Sequence, residues 1–552
     1  MEPNVTHFVN DASSIVTSAL DSLVRSSGGA LTRLDGYPDI KVVRRSDVAP
    51  DRVAVIAGGG AGHEPAHAGF VGTGMLTAAV SGEIFASPSA EAVLAAILSV
   101  TGGAGCLLVV KNYTGDRLNF GLAAERARAT GLDVAMIVVS DDVALKDSMH
   151  PRGLAGTLLV HKVAGAVAES GASLGEVVDI AGRVARSVRT LGISVSGVDI
   201  PYRAPARSFE PDMAELGLGI HGEPGVKTIA VGRAADVVGR MSATLEADLP
   251  ARTPIALLVN NLGGVPALEM GVILDSLLET PLGARAELVV GPAPLMTSLG
   301  MQGFSVSALP LDSGIRAALV APAAPALPWP AARRIDLLAP LPVPKLSSRR
   351  PAMPSDDVWV RALLTAVCTA LISSRPRLDE LDARVGDGDT GSTFAAAARR
   401  VLDELDQLAM ADLEQLLYGL AGLTSLAMGA SSGVLISIML TAAGGAVERG
   451  AALLPALRAG IDAMQTYGGA GPGDRTMLDA LLPALARLEA GDSLVDAAAA
   501  ARGGADSTAG ISYATAGRSA YVPGDRLVGN PDPGAEAIAV IFAALADADG
   551  AR

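Results

Sequence analysis

Apolar residues in the first third of the chain come in short blocks separated by amphipathic stretches. The blocks at 53–57, 105–110 and 133–140 are nearly continuous and rich in β-branched residues, the pattern of strands buried on both faces of a parallel sheet. Between and around them, 11–30, 91–100, 118–130, 154–170 and 174–191 repeat apolar residues at helical spacing, and 40–44 reads as a short extended segment. This alternation predicts a mostly parallel sheet covered by helices. From about 192 the strands shorten. The clearest are 255–261, 286–290 and 304–309, with a helix at 267–279, and together they predict a second α/β lobe. Residues 321–330 are dense in proline, and 331–355 are rich in Pro, Arg and Ser without periodicity, a linker composition. After Asp356 the pattern changes class. Helical periodicity runs through 358–373, 393–408, 413–427, 434–449, 454–465, 477–490 and 535–546, and strand-like runs nearly vanish. The expected organisation is a two-lobed α/β domain over 1–330 (lobes about 1–191 and 192–330), a linker over 331–355, and an all-α domain of seven or eight helices over 356–552.

Composition narrows the partners. A chain of 552 residues exceeds one core, and half its residues are hydrophobic, as in a compact globular protein. The net charge of −15 disfavours nucleic-acid backbones and anionic membranes as partners. A phosphorylated ligand stays possible where a bound cation neutralises it. Cys106 and Cys368 are the only cysteines, too few for a disulfide framework or a cysteine zinc site. The first residues lack a secretion pattern, and no uninterrupted apolar run reaches membrane-spanning length, so a cytoplasmic protein is expected. All six histidines lie at or before His221 and every lysine at or before Lys345. Chemistry in the helical domain must therefore use carboxylates, Arg, hydroxyls and backbone, which predicts a division of labour.

Candidate chemistry begins at Val53–His67. Five apolar residues run into Gly58-Gly-Gly-Ala-Gly62, followed at once by His63, Glu64 and His67. Ionisable groups at the carboxyl end of a parallel strand mark a ligand site. A phosphate-cradling loop is the first reading, but no lysine follows a glycine anywhere, so the Walker pattern is absent. Gly217–Gly222 and Gly386–Gly391 match the dinucleotide spacing without a preceding strand, and both fail as fingerprints. In the second, Asp382, Asp387 and Asp389 cluster around two glycines. Carboxylates so placed call for a hard cation between them, Mg²⁺ above all, with positions left for substrate phosphates. Gly429–Gly433 and Gly468–Met477 are Gly-rich entries to helices, where backbone N–H groups meet anions, and Pro531–Gly534 is a third such turn. Asp116 stands at another strand end, and His221 lies in a Gly-rich setting that echoes His63. A histidine there can act as a base or as a nucleophile toward a carbonyl.

Together these segments resemble the dihydroxyacetone kinases. Gly58–His67, Gly82–Pro88, Lys111–Phe120, Arg152–Thr157 and Gly219–Gly225 are similar to the family's substrate domain. Gly386–Thr393, Met428–Gly433, Pro472–Met477 and Asp532–Gly534 are similar to its nucleotide domain. The resemblance covers nearly the whole chain, with both domains fused as in the ATP-dependent single-chain enzymes, and implies a helical, barrel-like nucleotide domain. It implies that His221 captures the substrate carbonyl as a hemiaminal and that His63 and Asp116 handle the proton of the attacking hydroxyl. Gly60, Ala61, Gly62, Ser87 and Lys111 would surround the ketose. Asp382, Asp387 and Asp389 would hold Mg²⁺. Thr390, Gly391, Ser392, Thr393, Ser431, Ser432, Gly468, Met477, Arg518, Asp532, Pro533 and Gly534 would contact ATP. A homodimer is implied, the nucleotide domain of one chain facing the substrate domain of its partner.

This sequence departs from the family pattern at Ala61, where Ser is common, at Gly300, where Asp is usual, at His150-Pro151, and over 197–209. These departures bear on the substrate more than on the reaction. Dihydroxyacetone is the expected substrate. A four-carbon ketose such as erythrulose is the alternative, followed by a flavin-nucleotide cyclising lyase that would not need His221. A non-catalytic regulator should have lost His63, His221 or an Asp, and all are present.

Overall fold

A computed structural model describes residues 7–145, 151–203, 209–344, 353–429, 431–515, 520 and 522–550. The chain forms two units, Met1–Pro340 and Leu341–Arg552.

The first unit contains β1 (Leu31–Arg33), β2 (Val42–Arg45), β3 (Ala54–Ala61), β4 (Gly72–Thr73), β5 (Ala78–Ile84), β6 (Cys106–Lys111) and β7 (Val134–Val139). Six of these make a sheet of order β1-β2-β5-β3-β6-β7. Its core, β5-β3-β6-β7, is parallel, and β1 and β2 add antiparallel edge strands. Alternation splits each central strand between two hydrophobic cores. Val55, Ala57, Leu107 and Val109 join the helices Thr157–Glu169 and Leu174–Ser187 on one face. Ala54, Ile56, Cys106, Leu108 and Val110 join Ala90–Val100 and Thr114–Ala129 on the other. Residues buried on both faces of a strand explain the unbroken apolar runs.

Two expectations are corrected here. Gly58, Gly59 and Gly60, read as a loop after a strand ending at 57, lie within β3, which runs to Ala61 and leaves Gly62 just beyond it. A Cβ on Gly58 would stand 2.3 Å from the Val80 carbonyl oxygen of β5. The glycines therefore allow two backbones to close, and the ladder with β5 shifts register between Gly59 and Ala61. The helix predicted over 174–191 stops at Ser187, and Arg189–Ser194 is β8. Val188 is already extended, and the residues after it pair with β13 (Gly303–Pro310). The expected lobe boundary at 191 thus falls inside a strand.

The second sheet comprises β8, β9 (Met213–Leu216), β10 (Lys227–Ala230), β11 (Ile255–Asn261), β12 (Ala286–Ala293), β13 and β15 (Arg333–Arg334), in the order β10-β9-β8-β13-β11-β12-β15. Every pairing but β11 with β12 is antiparallel. β14 (Ala324–Pro325) instead pairs with β4. Helices Ala234–Glu246 and Ala267–Leu278 contribute Val238, Met241, Met270 and Ile273 to this lobe's core. β15 lies in the stretch of linker composition.

The second unit has nine α-helices among the described residues: Val358–Val385, Thr390–Asp403, Leu413–Ala427, Ser431–Glu448, Leu453–Gly468, Leu478–Glu489, Leu494–Ser507, Gly524–Leu527 and Pro533–Gly550. The first continues past 373 through Pro376, because Leu378, Leu381 and Val385 extend its buried stripe. Three such side chains, each worth roughly 1.5–3 kcal/mol, outweigh an interior proline's ~3 kcal/mol. Leu494–Ser507 is not evident from periodicity, since alanines 497, 501 and 505 form its buried face and give little amphipathic contrast. Val358–Val385 and Ser431–Glu448 are long and apolar enough to cross a membrane by length and composition. Leu371 and Leu378 of the first pack against Phe394 and Val401 in the unit's core.

Candidate active site

In the first unit four rings gather beyond the carboxyl end of β3. His221 lies 4.9 Å from His63, 5.3 Å from Phe85 and 4.5 Å from Tyr113, centroid to centroid. Each histidine has its tautomer set by a neighbour. His63 Nδ1 is 2.8 Å from the Thr297 carbonyl, which can only accept, so Nδ1 carries the proton and Nε2 presents a lone pair. His63 is fully buried, and Nε2 has no partner among the described residues. Burial, then the charges of Lys111 and His221, holds its basicity well below the usual range.

Around His221 a carboxylate does the same work. Glu223 Oε1 is 3.3 Å from His221 Nδ1, and Oε2 accepts the His221 backbone N–H at 2.9 Å. Burial opposes ionisation of Glu223, but its hydrogen bonds and the charge of His221 prevail and hold it at about 2. Glu223 is thus an acceptor; in its neutral form the His221 ring donates from Nδ1 to Glu223 and keeps the lone pair of Nε2. The His221 side chain keeps 17% exposure, so that lone pair is reachable.

Asp116 lies in the first turn of Thr114–Ala129, directly after β6, buried with Oδ1 unpartnered. Lys111 ends β6, buried, with Nζ 2.7 Å from His67 Nε2. The glycines of β3 fit around these groups. A Cβ on Gly59 would lie 2.7 Å from Lys111 Nζ and 3.6 Å from Asp116 Oδ2. On Gly60 it would meet the Phe85 backbone at 2.7 Å, and on Gly62 (φ +101°) the Phe85 ring at 2.8 Å. Ala61 is buried and pairs with Ile84. Ser87 sits against Gly115, whose Cβ would be 2.6 Å from its hydroxyl oxygen. Phe85 itself is left-handed, φ +57°, a conformation costing an aromatic residue about 1–3 kcal/mol. Sequence reasoning missed Phe85, Tyr113, Thr297 and Glu223 as parts of the site. Only Glu223 left a signal, a carboxylate two residues after a histidine.

The departures have structural places. Gly300 has φ +72° with open space around it, so an Asp there would be strained rather than crowded. Arg152 is buried, 2.7 Å from Asp142, and donates to the Gly217 carbonyl at 2.7 Å, bracing the loop that carries His221. His150 and residues 204–208 lie outside the described residues.

In the second unit a cavity of about 540 Å³ has Asp382, Asp387 and Asp389 in its lining. Their carboxylate oxygens lie within 4.8 Å of one another. Asp382 is buried in the last turn of Val358–Val385, and its Oδ2 accepts the N–H groups of Asp389 (2.9 Å) and Thr390 (3.1 Å). One carboxylate thereby caps the next helix and fixes the acidic turn. Three oxygen donors at this spacing fit a hard divalent cation, Mg²⁺ included. Thr390, Ser431, Ser432, Gly468, Met477 and Asp532 to Gly534 also line this cavity, with Leu435 and Ile438 among its apolar residues. Gly391, Ser392 and Thr393 lie in the following helical turn, off the cavity wall. Both donors of Ser392 go to Asp379, its N–H at 2.7 Å and hydroxyl at 2.9 Å. Arg518 lies outside the described residues. Arg475, to which the sequence assigns no role, is buried on the wall and donates to the Asn530 carbonyl at 2.7 Å. Asp479 pins the Gly-rich turn by accepting the N–H groups of Gly473 (2.5 Å) and Thr476 (2.8 Å). Burial raises Asp532 to about 6, against a hydrogen bond from Ala535 and the charge of Arg475.

The α/β unit thus carries a cluster of histidines and aromatic rings, and the helical unit a cavity whose carboxylates suit a hard cation. The Dak1 domain family matches residues 23–326, and the DAK2 domain family residues 384–547. The chain is 46% identical to the dihydroxyacetone kinase of Citrobacter freundii, over 98% of this chain and 99% of that one. It is 41% identical to the triokinase/FMN cyclase of Bos taurus, over 97% of each. The crystal structure of the C. freundii dihydroxyacetone kinase in complex with AMP-PNP and Mg²⁺ matches with a TM-score of 0.79 and 45% identity, over 98% of this chain and 99% of that one. The chain belongs to the dihydroxyacetone kinase family.

Proposed function

We propose that this protein is a phosphotransferase that moves the γ-phosphoryl group of ATP to a hydroxyl of a short-chain ketose, dihydroxyacetone foremost. The observation that carries the reading is the pair of buried acceptors without partners among the described residues, His63 Nε2 and Asp116 Oδ1, with the partly exposed His221 ring 4.9 Å from that of His63. Buried polar atoms without partners are rare in a folded chain, and these are what a ketose would need. His221 Nε2 adds to the carbonyl carbon as its Nδ1 proton passes to the Glu223 carboxylate 3.3 Å away. The carbonyl oxygen takes a proton from water, so one proton leaves the ring and one enters the oxygen to give a neutral hemiaminal. His63 and Asp116 then take the proton from the terminal hydroxyl. Covalent capture fixes that hydroxyl in place, which converts binding into geometry. Gly60, Gly62, Ser87 and Lys111 surround the substrate in this reading.

Asp382, Asp387 and Asp389 would hold Mg²⁺, with Thr390, Ser431, Ser432, Gly468, Met477 and Asp532 to Gly534 around the nucleotide. Mg²⁺ bound there neutralises phosphate charge during an in-line transfer. We further read the protein as a cytoplasmic homodimer of glycerol metabolism, with the nucleotide domain of one chain serving the ketose site of its partner.

Steady-state kinetics with Mg-ATP and a panel of three- and four-carbon ketoses tests the reading. Dihydroxyacetone is expected to have the highest kcat/KM, and a preference for erythrulose would move the assignment to the four-carbon ketose. His221→Ala should abolish discrimination between dihydroxyacetone and glycerol. Discrimination at the wild-type level would refute the capture step.

A further inference from the structure

Lys111 is buried at the end of β6, and the group that fixes its tip is His67, Nε2 to Nζ 2.7 Å. An ammonium only donates, so His67 accepts at Nε2 and carries its own proton on Nδ1. His67 is 5% exposed, and burial, followed by the charge of Lys111, keeps it neutral at ordinary pH. The other groups around the ammonium are Asp116 and Asp141, whose charges favour it against burial. Behind His67 the buried ring of His161 stands edge-on at 5.2 Å, with neither nitrogen hydrogen-bonded. In front, only the missing side chain of Gly59 leaves room for Nζ. A lysine has four flexible stem torsions and a point charge without directional preference. With Gly59 open before it, the stem alone does not determine where the charge sits.

We propose that His67 is a positioning residue for the ketose site: it anchors Lys111 Nζ through a neutral imidazole acceptor, setting the ammonium beside Asp116 and the substrate. The inference rests on the kinase reading for its kinetic consequence, though not for the His67–Lys111 pair itself. A neutral acceptor suits the position. A carboxylate in place of His67 would pair with the ammonium and compete with Asp116 for its charge, whereas an imidazole orients it and leaves the charge available.

Two substitutions separate positioning from packing. His67→Gln places an oxygen acceptor at about the reach of Nε2; His67→Leu fills the space without one. His67→Leu is expected to lose about 30-fold in kcat/KM for dihydroxyacetone, as for a lost hydrogen bond to a charged group, with the KM for Mg-ATP unchanged. His67→Gln should recover to within about fivefold of wild type. Equal losses in the two variants, or a His67→Leu enzyme at wild-type efficiency, would overturn the proposal. Nitrogen-15 spectra of histidine-labelled protein read the pair without turnover. His67 Nε2 should resonate as an unprotonated acceptor at neutral pH and shift on Lys111→Met. A proton on Nε2, or indifference to Lys111→Met, overturns the proposal whatever the kinetics. A wild-type protein without turnover on any ketose would instead sink the kinase reading, while the spectra would still decide whether His67 anchors Lys111.

Discussion

At the scale of single residues, chemistry here is decided by which nitrogen of each imidazole a neighbour claims. Thr297 claims Nδ1 of His63 and Glu223 claims Nδ1 of His221, so each neutral ring keeps its lone pair on Nε2. Glu223 follows its histidine by two residues, a weak signal, whereas Thr297 is more than two hundred positions from His63. The histidines were therefore legible from their Gly-rich settings, while the groups that make them useful were not. Phe85 was hidden for a related reason: a left-handed aromatic residue has no sequence signature. Its ring lies 5.2 Å from His63 and 5.3 Å from His221, so it walls the proposed ketose site. Phe85→Ala should raise kcat/KM for a four-carbon ketose relative to dihydroxyacetone by about tenfold, the order of discrimination that an apolar pocket supplies. Competition between the two substrates measures this, and an unchanged ratio would remove Phe85 from specificity.

At the scale of elements, β3 shows how a correct signal can carry a wrong shape. The glycine run did mark a close approach, but to the β5 backbone, Lys111 and Phe85 rather than to a phosphate. Gly58→Ala tests the backbone part. Its Cβ would meet the Val80 carbonyl oxygen at 2.3 Å, so the strands must separate, at a cost of about 1–3 kcal/mol or more. Chemical denaturation should show this in the midpoint. In the helical unit the acidic turn was legible because three carboxylates around two glycines crowd together whatever the fold, an arrangement that a hard cation relieves. Ser392 was not, since only coordinates reveal that Asp379 takes both its donors. Asp387→Asn should weaken Mg-ATP binding at least tenfold by calorimetry while leaving the helical content intact, as expected for one lost carboxylate ligand. Unchanged affinity would exclude Asp387 as a ligand.

At the scale of the whole molecule, the histidine and lysine counts, with all six histidines at or before His221, fit the proposed division between a ketose site and a nucleotide site. The boundaries were harder to read, because β8 and β15 are short strands whose partners lie far along the chain. The same asymmetry governs acid stability. His63, His67 and His161 are buried in the first unit with depressed basicity, His161 at about 3. Unfolded histidines gain protons below about pH 6.5 while these stay neutral, so stability is present above that value and is lost as pH falls toward the folded values, by about 1.4 kcal/mol per pH unit per histidine. His161 hydrogen-bonds through neither nitrogen, so His161→Leu should flatten the slope by one such share. Calorimetric melting between pH 6.5 and 4 would show it, and an unaltered slope would mean that His161 is protonated in the fold.

The lone pair that Glu223 leaves on His221 Nε2 can add only to a free carbonyl. Short sugars in water divide themselves between carbonyl and gem-diol, aldehydes lying further toward the hydrate than ketones. Under the proposed capture the protein draws from the dehydrated fraction alone. Its apparent KM for glyceraldehyde then contains a hydration equilibrium that belongs to the solvent, and warming, which releases water from the hydrate, should lower that KM more than the one for dihydroxyacetone.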